Sequence, residues 1–385
     1  MPLERTVLFA GVFAYFNVNK FGRALRRNGM KTVFLSLNPS NSLHHQGCHD
    51  LVLDAAGCLD LFYELISEPR FRVVHFQAWM GLHPFGQAAG LVCRSPFIVE
   101  FNDLPQLFLE EGVFDRIFGD GDFARDVKGV KGIINCCDGA IFNHVESAGE
   151  LLYAGSSPPA HQLHFHSYPE EESFAGSDPQ DGPPWRLVFA GTLNPSSHPS
   201  PAFGDVQLLG LIKKLLRQGL VFHLYLNPYQ ADSKLFWDYQ YLAKAEPGFT
   251  LFKGKGPAEL PRSIAGYHYG SMLHLFPEDN AIKKDHLRYI LPTKFFSYME
   301  AGLPVLVSEE LEAVADLVRE HGLGLVLSRN DLCKVSEMLR RKDCGALREN
   351  VRAFRSRWKM SKRIDSLEDL YEKASVHRSK ENKGI

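Results

Sequence analysis

Long hydrophobic runs are missing from this sequence. No window offers ~20 uninterrupted apolar residues, so no membrane-spanning helix is expected. Paired cysteines are missing as well. The seven cysteines are an odd number, none stands in a C-x-x-C, and Cys136 and Cys137 are adjacent, which suits neither a disulfide framework nor a zinc clamp. A reduced, cytoplasmic chain is the expectation. Charge of one sign is also lacking: 43 Lys and Arg face 45 Asp and Glu, and nothing in that balance favours nucleic acid. After the first apolar run the sequence reads "GVFAYFN", not G-x-G-x-x-G, which leaves a dinucleotide-dependent dehydrogenase without its fingerprint. The opening "MPLERTVLFAGVF" has no long apolar region and no small-residue cleavage site, and "TVLFA" reads as a strand rather than a signal peptide. No internal repeat is evident.

What is present is alternation. With 385 residues, 45% hydrophobic and 23% charged, the chain is too long for one ordinary core, and two domains of roughly 150–200 residues are expected. "TVLFA", "TVFLSL", "RVVHF", "PFIVEF", "GAIFN" and "QLHFH" are strand candidates separated by helical patterns. Glu170 to Trp185, rich in Pro, Gly, Ser and acid, reads as a linker. The alternation restarts with "WRLVFAG", "LVFHLYL", "GFTLFKG", "SMLHLF", "LPVLVS" and "LGLVL". Near-continuous apolar strands with helical crossovers mark parallel sheets covered on both faces. The expected fold is therefore α/β, two doubly wound Rossmann-like halves facing across a cleft. The expected boundaries are 1–168, a linker over 169–184, a second domain over 185–355, a C-terminal helix over 356–376 returning to the first domain, and a frayed tail over 377–385. Ligands of such sheets bind at the carboxyl ends of the strands, where strand order reverses.

"KFFSYMEAGLPVLVS" resembles the K-hydrophobic-x-E-Y-x-A-x-G-x-P-V segment of nucleotide-sugar-dependent glycosyltransferases of the GT-B fold. The likeness is greatest to the retaining family that holds glycogen synthase and mannosyltransferases, glycosyltransferase family four. "LVFAGTLNP", "FTLFKGKGPAELPRSIAGYHYGSMLHLFPED", "PFIVEFND", "CDGAIFNHVESAGELL" and "FHSYPEEESF" resemble other segments of that family, in its order. The resemblance implies a donor nucleotide on the second domain and an acceptor on the first. It implies no metal or other cofactor, only a nucleotide diphosphate sugar as co-substrate and a glycan or glycoconjugate as acceptor.

Departures from the family pattern are equally plain. The Glu-x7-Glu pair is replaced by Tyr289 and Ser297, with Glu300 one turn further on as a partial substitute for the ribose contact. The first-domain His-Asp reads Asn102-Asp103. These losses keep open a degenerate GT-B protein that binds nucleotide or a partner without turnover. A sugar-nucleotide epimerase is a further alternative, for which the needed first-domain groups are not located.

The lysine of "LPTKFF" carries a physical argument of its own. With Thr293 as N-cap, the first helical turn offers free N–H groups and a positive partial charge, and Lys294 beside them asks for an anion. A diphosphate fits; a lysine reaching into solvent is the plainer alternative. Arg288 is a second phosphate candidate or a surface charge. Gly191 and Thr192 end a strand where backbone can approach a phosphate, and Gly11 holds the matching place on the acceptor side. Glu278 and Asp279 follow "SMLHLF", where the resemblance places donor-sugar contacts. Asp103, with Asn102, is the best catalytic candidate because it follows the apolar strand "PFIVEF"; the alternative is an Asx-capped turn. Glu100 and His75 read as structural. "HHQGCH", His44 to His49, reads as a loop before it reads as a metal site. The run Arg352, Arg355, Arg357, Lys359, Lys362 and Arg363 reads as a solvated helix face or as a contact to anionic lipid at the inner face of a membrane.

Overall fold

A computed structural model describes residues 5–12, 16–38, 47–54, 59–176, 179, 182–196, 206–230, 234–276 and 281–381. The chain divides into two compact units, Met1–Tyr168 with Met360–Ile385, and Pro169–Lys359.

The first unit is built on seven parallel strands in the order β3-β2-β1-β4-β5-β6-β7. They are β1 (Thr6–Gly11), β2 (Lys31–Ser36), β3 (Leu51–Asp54), β4 (Val73–Ala78), β5 (Phe97–Phe101), β6 (Gly139–Phe142) and β7 (Gln162–His164). Val7, Leu8, Phe9 and Ala10 of β1 are all fully or almost fully buried, as are Phe97 to Phe101 of β5. Such strands have no solvent face, which is why they read as nearly continuous apolar runs. Strand order reverses between β1 and β4, which are hydrogen-bonded neighbours from Val7↔Val73 to Ala10↔Phe76. The carboxyl ends of these two strands, at Gly11 and Ala78, mark the switch point of this sheet.

The second unit repeats the plan with six parallel strands in the order β10-β9-β8-β11-β12-β13. They are β8 (Arg186–Gly191), β9 (Val221–Leu226), β10 (Phe249–Phe252), β11 (Tyr269–Met272), β12 (Val305–Ser308) and β13 (Gly324–Leu327). Their core joins Trp185, Leu187, Phe189, Leu224, Tyr239 and Leu306. The switch point falls between β8 and β11.

Five features differ from the sequence expectation. β3, "LVLD", was not foreseen, being four residues long and without a pattern of its own. The strand expected at "SMLHLF" begins at Tyr269 and stops at Met272; beyond it the His274 N–H turns to Ser308 Oγ at 2.9 Å instead of continuing the ladder. The expected C-terminal helix is two helices, Cys344–Arg357 and Ile364–Glu381, parted at Met360–Lys362, where the chain passes from one unit to the other. Residues 377–381, expected in a frayed tail, continue the second of them. The expected linker also groups with the second unit. The Ala175 N–H donates to Glu300 O at 2.9 Å, and Arg355 donates to the Ala175 and Glu300 carbonyls while its guanidinium lies 4.5 Å from the Phe174 ring centre.

Candidate functional site

At the switch point of the second unit three of the sequence-predicted residues, Gly191, Thr192 and Lys294, lie close together. The helix Thr293–Glu300 lies in the crossover from β11 to β12, so it runs back along the parallel strands and its N-terminus stands at their carboxyl edge. Its N-cap is Pro292, without a side-chain cap bond, and Thr293 is its first residue. That corrects the expectation of a Thr293 cap: proline fixes the extended entry to the helix, and Thr293 is already helical. Lys294 follows in the first turn. Its ammonium lies 4.4 Å from the centre of the Phe189 ring, in β8. A Cβ added to Gly191, the last residue of β8, would lie 3.8 Å from Lys294 Cε. Gly191 has φ +151°, a backbone region that side chains disfavour.

Neighbouring groups hold this edge in shape. Asn227 N–H donates to Gly191 O at 2.9 Å, and Asn227 Nδ2 to Thr192 Oγ1 at 3.2 Å. Gln230 brackets the next residue through both the Leu193 N–H and C=O, each at 2.9 Å. Tyr298 Oη accepts from Ala190 N–H and donates to Ser271 O, both at 3.1 Å, which ties the helix to β8 and β11. Phe189, Asn227, Gln230 and Tyr298 were not singled out by sequence reasoning. Only the spacing Phe189-x-Gly191 could have hinted at the first of them.

Other predicted donor-side residues fall elsewhere. Ser297 is buried, and its hydroxyl faces Thr293 O at 3.4 Å. Glu300 is 1% exposed, and its Oε1 accepts from the Glu170 N–H at 2.8 Å. This departs from the expected ribose contact: the carboxylate anchors the 170–175 segment to the helix. Arg288 is exposed and pairs with Glu312, Nε to Oε2 at 2.9 Å, a partner that raises its pKa. Glu278 and Asp279 lie outside the described residues.

In the first unit, Asn102 and Asp103 directly follow β5. The Asn102 N–H donates to Ala78 O at 2.9 Å. Asp103 has φ +40°, uncommon for a residue with a side chain, and Leu104 and Pro105 lead from it into a helical turn. Burial pushes the Asp103 carboxyl up to about 7. Strain and a raised acid at the carboxyl end of a central strand are a common signature of a functional position. Gly11 ends β1, where a Cβ would come within 2.5 Å of Gln77 Oε1. A side chain at this position would force the Gln77 amide to shift.

The remaining sequence candidates separate from both edges. His44 and His45 lie outside the described residues; His49 is buried, its ring centroid 5.4 Å from those of Phe9 and Phe34. Among the described residues, no group of three or more His, Cys, Asp and Glu is placed to hold a metal ion, and no helix is long and apolar enough to cross a membrane. The basic run is largely committed: Arg352 pairs with Glu349, Lys359 with Glu171, and Arg363 lies over the Tyr168 ring.

Comparison with known proteins agrees with this fold. Residues 225–362, about a third of the chain, match the family model of the Glucosyltransferase 3-like, C-terminal domain. No curated protein sequence matches the chain. Among solved structures it is similar to TarM, with 9% identity and a TM-score of 0.52, over 82% of this chain and 57% of that one. LpCGTa in complex with UDP gives 13% identity and a TM-score of 0.52, over 96% of this chain and 99% of that one. An alpha,alpha-trehalose-phosphate synthase (UDP-forming) from Burkholderia xenovorans, in complex with glucose-6-phosphate, gives 12% identity and a TM-score of 0.54, over 99% of both chains. At these identities the likeness shows the fold, and the fold is GT-B. The resemblance to GT-B glycosyltransferases therefore holds, while nothing in these matches singles out family four.

Proposed function

We propose that this chain is a glycosyltransferase that moves a sugar from a nucleotide diphosphate sugar to a hydroxyl of a glycan or glycoconjugate. The observation that carries the reading is the meeting of Lys294, the start of its helix and Gly191 at one strand edge. A diphosphate there would gain a charge-assisted bond from the ammonium and face the positive end of the helix dipole. Gly191 leaves the backbone open to close approach. LpCGTa is described with UDP and the trehalose-phosphate synthase as UDP-forming, so a uridine diphosphate sugar is the first donor to try.

The leaving diphosphate must be stabilised and the acceptor hydroxyl positioned. Lys294 serves the first need, and Asn102 with Asp103 the second. Retention, the outcome expected from the family resemblance, lets the departing phosphate take the acceptor proton and makes no base compulsory. Inversion is the second reading: Asp103, which follows β5 at its carboxyl end with φ +40°, is the carboxyl placed to serve as a general base. The coupling of the anomeric proton in the glycoside product, read by NMR, decides between them. No metal is proposed for either route. A membrane-borne acceptor in the cytoplasm is a narrower form of the reading, and Arg357 and Lys362 are the exposed charges left to serve it.

The reading is tested by thermal stability against UDP-, GDP-, ADP-, CMP- and dTDP-sugars, with Lys294→Ala beside the native chain. A ligand at about 100 times its Kd adds roughly 2.7 kcal/mol. One base stabilising the native chain but not the variant supports the donor site and names the donor class. A flat panel with folded protein overturns it. Stabilisation without transfer or donor hydrolysis, across an acceptor screen, leaves the non-catalytic alternative.

A further inference from the structure

At the carboxyl edge of the first sheet, one buried carboxylate decides which way a set of amides must face. Glu100 of β5 is fully buried. It accepts from Asn17 Nδ2 at 3.0 Å and from Gln77 Nε2 at 3.1 Å. Behind it, His75 Nε2 stands 3.5 Å from the same carboxylate, and His75 Nδ1 lies 2.7 Å from Tyr371 Oη. Carboxylate oxygens accept and do not donate. Asn17 and Gln77 must therefore turn their nitrogens to Glu100 and their carbonyl oxygens away from it.

The constraint travels one step further. Asn17 Nδ2 also reaches Asn143 Oδ1 at 3.4 Å, which leaves the Asn143 nitrogen to donate to Asn102 Oδ1. With its oxygen engaged, Asn102 presents its NH2. Glu100 and Asn102 are two apart along the strand direction, so the hub and the end of the relay share one face.

Three atoms terminate this network: Asn17 Oδ1, Gln77 Oε1 and Asn102 Nδ2. All three are buried without a hydrogen-bond partner among the described residues. Their residues are only 3%, 4% and 4% exposed. Buried polar groups are almost always satisfied, so unsatisfied ends in such a cluster ask for an occupant. One of them, Gln77 Oε1, stands beside Gly11, at the end of β1, where strand order reverses.

We propose that Glu100 is a positioning residue which fixes these amides so that an uncharged, polyhydroxylated acceptor meets one N–H donor, on Asn102, and two carbonyl acceptors, on Asn17 and Gln77. Two carbonyls take hydrogen bonds from two hydroxyls, and the amide donates to the oxygen of a third group or of one of the two. The buried Glu100 carboxylate behind this edge disfavours an anionic acceptor. The identity of the ligand as an acceptor rests on the proposed transferase reading; the direction of the amides does not.

The test uses the full chain with 15N in the Asn and Gln side chains, and methyl α-D-glucopyranoside as probe. At about 0.1 M, enough to load a site of millimolar affinity, the sugar is expected to shift the Asn102 NH2 signals. Glucose 6-phosphate at equal concentration is expected to shift them far less. Glu100→Gln, which can donate as well as accept, is expected to weaken the response about tenfold while UDP-dependent stabilisation is kept. Should that variant not fold, Asn143→Ala, which cuts the relay between Asn17 and Asn102, is expected to lose the same response. An unmoved Asn102 signal with UDP stabilisation intact overturns this proposal alone, and assigns the three atoms to trapped water. Loss of both responses overturns the transferase reading as well. An equal response in Glu100→Gln removes the positioning role, and an equal response to glucose 6-phosphate removes the uncharged class.

Discussion

The Lys294 ammonium lies 4.4 Å from the centre of the Phe189 ring, and its Cε lies where a side chain at Gly191 would touch it, 3.8 Å from the added Cβ. The cation is thus held by an aromatic face on the strand that carries the glycine. Cation–π attraction of this kind is worth about 0.5–2 kcal/mol. It keeps the lysine side chain along β8. A lysine in the first turn opposes the helix dipole, and the ring offsets part of that cost.

Separating the charge from the stem gives the first prediction. Lys294→Met keeps the aliphatic contact with Phe189 and removes the ammonium. Unliganded stability is expected to change little. The Kd for UDP, measured by calorimetry, is expected to rise by roughly tenfold to a hundredfold, as for loss of one charged hydrogen bond of about 1.5–3 kcal/mol. An unchanged Kd would move the phosphate away from Lys294.

Gly191 combines a φ of +151° with that close lysine. Gly191→Ala is expected to lower stability by about 1–3 kcal/mol, because the backbone there is strained for any side chain. It is also expected to weaken UDP binding, since the added methyl stands beside Lys294 Cε. Urea midpoints and the same calorimetric titration check both. Equal UDP affinity in the alanine variant would show that no ligand approaches this strand end.

Glu300 separates anchoring from binding. Its carboxylate accepts from the Glu170 N–H at 2.8 Å, inside the second unit. Glu300→Ala leaves that buried amide unsatisfied and is expected to cost about 1–3 kcal/mol in urea unfolding. Glu300→Gln, which retains a carbonyl oxygen, is expected to recover most of the loss. Both variants are expected to bind UDP as the native chain does. A selective loss of UDP affinity in Glu300→Gln would restore the ribose role.

Much of this architecture is local and therefore legible in the sequence. β1, β5, β8 and β12 are predominantly apolar because both faces are covered, and that pattern marks them without any partner being known. Lys294 and Asp103 were legible for the same reason, since each sits at a fixed place relative to such a strand. What escaped depends on pairing across distance. Glu300 and Glu170 are 130 positions apart, and no spacing rule joins them. Glu100 looks like a lone acid in a strand until Asn17, 83 positions away, turns towards it. β3 escaped because four residues carry too little periodicity to be told from a loop.

Asp103 supplies a prediction whose sign follows from linkage. Burial raises its carboxyl from 3.8 to about 7 in the folded chain. Between those values the native state keeps a proton that the unfolded state has lost, so stability falls as pH rises from about 4 to about 7 and then levels. Asp103→Asn tolerates the same φ of +40° and has no proton to lose. The stability difference, variant minus native, is therefore expected to grow across that window and to be constant above it. Urea unfolding at pH steps measures it, and a difference independent of pH would show that this carboxyl titrates normally. The same pair of proteins reports on the chemistry. If Asp103 takes the acceptor proton, transfer by the native chain rises through pH 7 and the variant is slow at every pH; if the leaving phosphate takes it, the variant keeps most of its rate and the rise is absent.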